Sequence, residues 1–462
     1  MHSRIIARLH ALDRRRLPVQ LGILITFALI PVWGRLPGAP ALYSSRYFSG
    51  FAITIPLLLT IFSWLITGLP GFKSLRRNRL GALWALMLLL LALWASVSPT
   101  WAFVRNREPG VAENAALQLA IVLLFAITVA SAGPPPRAIV AVLILSAVWS
   151  GFVAGLQVAN QASIGLQSLG EFAISAQGPN VSVIQSGDLR WMRPYGLLPH
   201  PNVLGGLLGI GLLGTVSWIV SRRRALRWIG FAIFSSGLWV FLLTFSRGAW
   251  LGFAAGAFAL YPLLRRTRQR SLWIATGLAV LIGILFISLY RPLVLSRAGV
   301  GTESIELRSV SDRLVFTSIA YLAVTENPVH GVGSGNFPWY ASDYLFRYTD
   351  YDLRGDNVHQ VFLSAWAELG IVGYGLVALA LVLGVEAALR SRSLANAEDG
   401  DKNSARAVML GGVIMLTFIG LFDHYPWTLI QFQVAWWGLL AAALAPGSPS
   451  GTCLETNRQG QP

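Results

Sequence analysis

Apolar stretches of roughly twenty residues, the length an α-helix needs to cross a hydrocarbon core, recur along nearly the whole chain and leave few folds open. They fall near 19–33, 48–68, 80–98, 113–131, 137–158, 201–220, 226–245, 248–264, 272–290, 360–386, 407–424 and 427–445. A bilayer core offers no water to backbone N–H and C=O groups, so each stretch must close its own hydrogen bonds as a helix. The expected fold is all-α, a polytopic integral membrane protein with about 12 transmembrane helices. Composition agrees: 55% of the 462 residues are hydrophobic, mean hydropathy is +0.60 and only 12% are charged, against about 25% in an ordinary soluble domain. A soluble enzyme, a disordered chain and a nucleic-acid-binding domain are excluded. The one cysteine, Cys453, lies in a polar tail, which excludes an intramolecular disulfide and a cysteine metal site.

Charge sets the expected orientation. With the N-terminus in the cytoplasm, 23 of the 36 Lys and Arg fall on the inner side, including both lysines, together with only 6 of the 20 acids. The outer side then holds 13 arginines against 14 acids and is nearly neutral. Every short loop obeys the positive-inside rule, so the net charge of +16 reflects topology and anionic inner-leaflet lipid rather than nucleic acid. The N-terminal MHSRIIARLHALDRRR has no apolar run directly after its charges and no small-residue cleavage site, so no cleaved signal is expected.

This organises the chain as helices 1–5 (1–158), a first long outer loop (159–199), helices 6–9 (200–290), a large outer loop (291–359), helices 10–12 (360–445) and a cytoplasmic tail (446–462). Connections as long as these two loops are unusual in a compact body and are often functional. The second contains a helix-like stretch, SDRLVFTSIAYLAVTEN, then a turn-rich GVGSGNF and an aromatic–acidic run, WYASDYLFRYTDYDLRGD. Any chemistry is therefore expected on the outer face.

Four histidines fall there: His200, His330, His359 and His424. Asp356 precedes His359 and Asp423 precedes His424, but neither pair forms a recognised metal-ligand spacing, so no metal site is expected. A G-x-S-x-G elbow and a P-loop are absent too, which removes support for hydrolase and nucleotide-driven readings. Arginine is more telling. Arg190 and Arg193 close the first long loop in DLRWMRPYGLLPHPN, Arg247 sits in FSRGAW between two apolar helices, and Arg313 opens the helix-like stretch of the second loop. A guanidinium at a membrane boundary needs a counter-charge, a route to the interface or a polar cavity, and its planar fork matches phosphate oxygens. Interfacial anchoring or pairing with outer acids is the plainer account, and it applies least to Arg193 and Arg313.

His359 has two readings as well. It is either a helix N-terminal histidine satisfied by Asp356, or a general base, because a neutral imidazole accepts a hydroxyl proton near pH 7. Asp356 is the expected orienting partner, since Glu368 lies off the His359 face of its helix. The aromatics Trp339, Tyr340, Tyr344, Phe346, Tyr348 and Tyr351, interleaved with Asp343, Asp350 and Asp352, suit either a loop core or a sugar-stacking surface.

The ordered fragments MRPYGLLPHPNVLGG, TFSRGAWLGF, SDRLVFTSIAYLAVTENPVHGVGSGNF and DNVHQVFLSAWAELGIVGYG resemble the O-antigen ligase family of bacterial membrane glycosyltransferases, over roughly 190–375. The resemblance implies a glycosyltransferase-C-like helical fold in the bacterial inner membrane, with both termini cytoplasmic. It implies metal-independent, inverting transfer of a glycan from undecaprenyl pyrophosphate to a sugar hydroxyl, such as one on lipid A–core, on the periplasmic face. No cofactor is implied; the partners are the lipid-linked glycan donor, the acceptor glycan and membrane lipid. Carried over by position, Arg193 and Arg313 would hold the pyrophosphate and His359 would be catalytic, with Arg190, Arg247 and Asp356 as supporting candidates. His359-Gln360 departs from the family's usual His-Asn or His-Ser.

Two alternatives stay open. An O-antigen polymerase shares the donor chemistry; its arginine-x₁₀-glycine pattern is missed here, since Gly205 lies one residue too far from Arg193 and Val324 takes that place after Arg313. A small-anion transporter would need ionisable groups at the middle of broken helices, and few fall within these spans.

Overall fold

The computed structural model describes residues 15–33, 51–105, 110–179, 181–264, 267–299, 304–347, 357–393 and 400–445. The chain is mostly helical, and a helix stands at each of the twelve apolar stretches. In order these are α1 (Leu17–Ala28), α2 (Phe51–Ile66), α4 (Arg79–Val97), α5 (Val111–Ala132), α6 (Pro136–Asn160), α7 (Pro201–Ile219), α8 (Arg224–Leu243), α9 (Arg247–Leu264), α10 (Gln269–Leu289), α14 (Val361–Ser393), α15 (Gly400–Ile419) and α17 (Ile430–Leu444). Between them lie the short α3 (Phe72–Arg77), α11 (Arg291–Arg297), α13 (Phe337–Tyr344) and α16 (Tyr425–Thr428), and the longer α12 (Ser304–Glu326). Seven helices among the described residues are long and apolar enough to cross a membrane, from α4 to α8, then α10 and α14. The protein is a multi-pass membrane protein.

The bundle is built around α7 and α17, whose residues are almost all buried. Small residues permit that density. At the α9–α15 crossing, a Cβ on Gly256 would sit 2.6 Å from the Gly411 carbonyl oxygen, so the Gly252-x-x-x-Gly256 ridge allows near backbone contact, as small-residue stripes do between membrane helices. α10 is at the other extreme: its Val280, Leu281, Ile284 and Leu285 are exposed, the surface expected of a helix against hydrocarbon.

Two local structures depart from the sequence reading. The first long loop contains an antiparallel hairpin, β1 (Val183–Ser186) with β2 (Leu189–Met192), around Gly187 at φ +58°. A glycine at the first central position is the signal for a mirror-image two-residue turn, and QSGDLR carries it. The second is α12, which starts at Ser304, so Arg313 lies well inside the helix rather than at its opening. α12 packs on α13 and α14 through Phe316, Ile319, Phe337 and Tyr340.

α14 is broken at Gly370, whose φ of +66° only glycine adopts without strain. A Cβ there would lie 2.0 Å from the Val329 carbonyl oxygen. Carbonyls freed by the break find new donors: Val332 N–H bonds Ala367 O and Gly333 N–H bonds Glu368 O, both at 2.9 Å, while Trp94 Nε1 donates to Leu369 O at 2.8 Å. The Glu-Leu-Gly segment and the turn-rich GVGSGN are thus one structure, in which the kink receives the loop. Such re-pairing is what allows a broken helix in an apolar setting.

Candidate active site

Both long connections converge on one end of the bundle, where α7, α14 and α17 begin and α8 and α15 end. His359 lies two residues before α14, at a junction held by Val361 N–H to Gly420 O, 2.7 Å. Its neighbour is Asp423, just beyond α15, with His359 Nδ1 and Asp423 Oδ1 3.7 Å apart. Oδ1 also accepts the His424 backbone N–H at 2.9 Å, and Oδ2 accepts Asn202 Nδ2 at 2.9 Å. The His359 and His424 rings are 5.1 Å apart by centroid. Asp356, the expected orienting residue, lies outside the described residues; the carboxylate beside His359 is one from far downstream.

Asn202 joins this cluster to the arginines. Its Oδ1 accepts Arg193 Nη2 at 2.7 Å, while its side-chain N–H holds Asp423. Its position follows from a helix start: His200 Nδ1 caps α7 by accepting Asn202 N–H, and Pro201 occupies the first turn. Arg193 is 3% exposed and also donates to Thr244 O at 2.7 Å and Ser182 Oγ at 2.8 Å. Its guanidinium is therefore a fixed charge rather than an open fork. Arg190, three residues earlier, is turned to a different task, donating to Ala176 O and Gly178 O within the loop.

Thr244 belongs to a corner between α8 and α9 in which Phe245, fully buried, is held at φ +47°. A bulky residue in the left-handed region is costly, and such strain persists where the surroundings over-determine it. Here Arg193 holds the Thr244 carbonyl, Arg297 Nε donates to Phe245 O at 3.3 Å, and Arg247 Nη1 donates to Arg297 O at 2.8 Å. Ser296 Oγ bonds Gln185 O at 2.7 Å, tying α11 to the hairpin. The corner gathers Arg193, Arg247 and Arg297 from three parts of the chain.

Arg313, half-buried on α12, faces Asp423 electrostatically. Burial alone would raise the Asp423 carboxyl, but the adjacent His359 imidazole and the positive charge of His359, His424 and Arg313 together hold it well below the usual carboxylate range. Asp423 is thus an anion facing the Arg313 guanidinium and the two imidazoles. Burial and the Asp423 charge push the neighbouring Tyr425 hydroxyl well above its ordinary value.

Glu368 is buried, accepting Trp427 Nε1 at 3.0 Å and facing the Gly335 and Phe337 N–H groups. It fastens the loop to α14 and α16. The aromatic run divides: Tyr340 is a core residue that donates to Glu326 Oε2 at 2.6 Å, while Phe346 is exposed with Arg347 over the Tyr344 ring. Tyr348, Asp350, Tyr351 and Asp352 lie outside the described residues.

The structure therefore brings His359, Arg193 and Arg313 to one network and sends Arg190 elsewhere. Sequence reasoning missed Asn202, Asp423 as the partner of His359, and Arg297. The first two had local signals: a polar residue just inside a capped helix start, and an acid beside a histidine at a helix end. His359, Asp423 and His424 also form a group whose nitrogen and oxygen ligand atoms lie within 4.8 Å of one another, which spacing along the chain had not suggested.

Residues 232–378 match the family model Wzy_C, described as O-antigen ligase. The matched segment contains Arg247, Arg297, Arg313 and His359, whereas Arg193, Asn202 and Asp423 stand on either side of it. No curated protein matches the chain. Residues 232–378, onto which the network around His359 is built, are thus similar to the O-antigen ligase domain.

Proposed function

We propose that the protein is an inverting glycosyltransferase that moves a glycan from undecaprenyl pyrophosphate to a sugar hydroxyl of an acceptor such as lipid A–core, on the periplasmic face of the bacterial inner membrane. The observation that carries this reading is the single hydrogen-bonded path from Arg193 through Asn202 to Asp423, with His359 and Arg313 beside that carboxylate. A base and cationic groups for a leaving anion stand together at the end of the bundle where both long connections meet.

His359 takes the proton of the acceptor hydroxyl as its oxygen attacks the anomeric carbon. The bond from that carbon to the pyrophosphate oxygen breaks, and its electron pair leaves with the pyrophosphate. Asp423 stabilises the imidazolium that forms, and Asn202 and the His424 N–H keep the carboxylate aimed. Negative charge building on the leaving group is met by Arg313 and by the held guanidinium of Arg193, with Arg247 in support. Charges already fixed before reaction need no reorganisation during it, and the base contributes typically 10²–10⁴-fold. The donor's own pyrophosphate supplies the driving force, so neither metal nor nucleotide is required.

The test is product size from purified protein given a polyprenyl-pyrophosphate glycan and lipid A–core with EDTA present. One glycan transferred to lipid A–core, and lost in His359→Ala protein that elutes and melts as wild type, is the expected result. A His359→Ala variant keeping more than about a tenth of the activity refutes the base. A ladder of longer glycans still on polyprenyl pyrophosphate reassigns the same leaving-group chemistry to a polymerase.

A further inference from the structure

We propose that His359, Asp423 and His424 form a three-ligand site for a divalent transition metal of the zinc type, and that a metal bound there takes His359 out of catalysis. The ligand atoms of the three residues lie within 4.8 Å of one another, and His359 Nδ1 is 3.7 Å from Asp423 Oδ1. Ligands about 2.0–2.1 Å from a tetrahedral zinc stand roughly 3.4 Å apart. The cluster therefore closes on an ion by movements on the order of 1 Å, within the range of small side-chain rotations.

The donor set selects the metal. Two imidazoles and one carboxylate suit zinc, cobalt and nickel, whereas magnesium and calcium take oxygen ligands almost throughout. The groups behind the ligands are already in place. Asn202 Nδ2 and the His424 backbone N–H hold the two oxygens of Asp423. When the Thr428 hydroxyl donates to the His424 carbonyl, 3.3 Å away, its oxygen accepts Nδ1–H of His424 at 2.8 Å. That arrangement puts the lone pair of His424 on Nε2, the way ligating histidines are oriented by a partner on the other nitrogen. The His359 and Asp423 side chains keep 20% and 11% of their surface, which gives an ion a way in and leaves a fourth position for water. Metal binding stands on this geometry alone; the loss of transfer rests on the proposed role of His359 as base.

The experiment uses full-length protein stripped with EDTA and then freed of it. Cobalt is titrated with visible absorption as the readout, zinc by calorimetry, and glycan transfer is followed in parallel. One ion per chain, tetrahedral cobalt bands and transfer falling below about a tenth at saturating zinc are expected, with recovery on adding EDTA. His424→Gln weakens metal binding, and the zinc inhibition measured against the variant's own metal-free rate, at least about tenfold. Absence of both the cobalt spectrum and the zinc heat, or binding that His424→Gln leaves unchanged, overturns the site. Binding that depends on His424 while transfer continues undiminished upholds the site and removes His359 from the base role. Transfer that EDTA abolishes and zinc restores overturns the inhibitory assignment.

Discussion

Asp423→Asn removes one charge beside His359 at nearly constant volume, and its effect can be worked from the structure. At 3.7 Å and an effective dielectric of about 20, an imidazolium and a carboxylate attract by about 4 kcal/mol. Water reaching the partly exposed His359 screens some of this, leaving about 3 kcal/mol in the transition state, or about a hundredfold in rate. A second change separates charge from geometry. The amide introduced at position 423 would oppose its N–H to that of Asn202, and Asn202→Asp in the same chain restores an acceptor there while still receiving Arg193. If charge at 423 is what matters, the double variant regains thermal stability and stays slow. The stability sign follows from the depressed Asp423 carboxyl: its contribution is complete above about pH 4, the unfolded value, and fades as pH falls from there through the lowered native value. The melting difference between wild type and Asp423→Asn should shrink as pH falls below about 4. A rate loss under about fivefold refutes the coupling of Asp423 to His359.

Other perturbations probe the rest of the network. Arg313→Ala is expected to raise the donor KM and lower kcat by about tenfold or more, with only partial recovery in Arg313→Lys because an ammonium lacks the planar fork; steady-state kinetics against donor concentration decide it. Gly370→Ala forces a Cβ to 2.0 Å from the Val329 oxygen at φ +66°, so the 328–333 segment should detach from α14, lowering Tm and exposing the loop to protease. Wild-type Tm in that variant refutes the account of the kink. Glu368→Ala leaves the buried Trp427 N–H without its acceptor and should cost about 1–3 kcal/mol of stability, whereas Glu368→Gln, which retains an acceptor oxygen, should cost less; denaturant or thermal melts of the pair check the order.

Much of the fold was legible because hydropathy and helix length are local properties. A helix stands at each of the twelve apolar stretches, with ends displaced by up to seven residues, and a terminus such as His200-Pro201 at α7 follows from capping chemistry that acts over one turn. His359, Arg193 and Arg313 could be singled out by residue type and position, since a guanidinium at a helix boundary or a histidine before an apolar run is unusual wherever it occurs. What packs against them could not. Asp356 was the nearest acid along the chain, yet Asp423 arrives beside His359 because α15 and α14 meet end to end, through Val361 N–H and the Gly420 carbonyl. Arg190 and Arg193 looked interchangeable in sequence, and the hairpin sends one into the loop and the other into the core. Asn202 bridges cation and anion only once α7 is set between the α8 corner and the end of α15. The sequence by itself determined which segments are helical and which polar groups sit at their ends, because those depend on neighbours within a turn. Only the tertiary structure decided which ends meet, because that depends on how the small-residue faces of α7, α9 and α15 pack across the bundle.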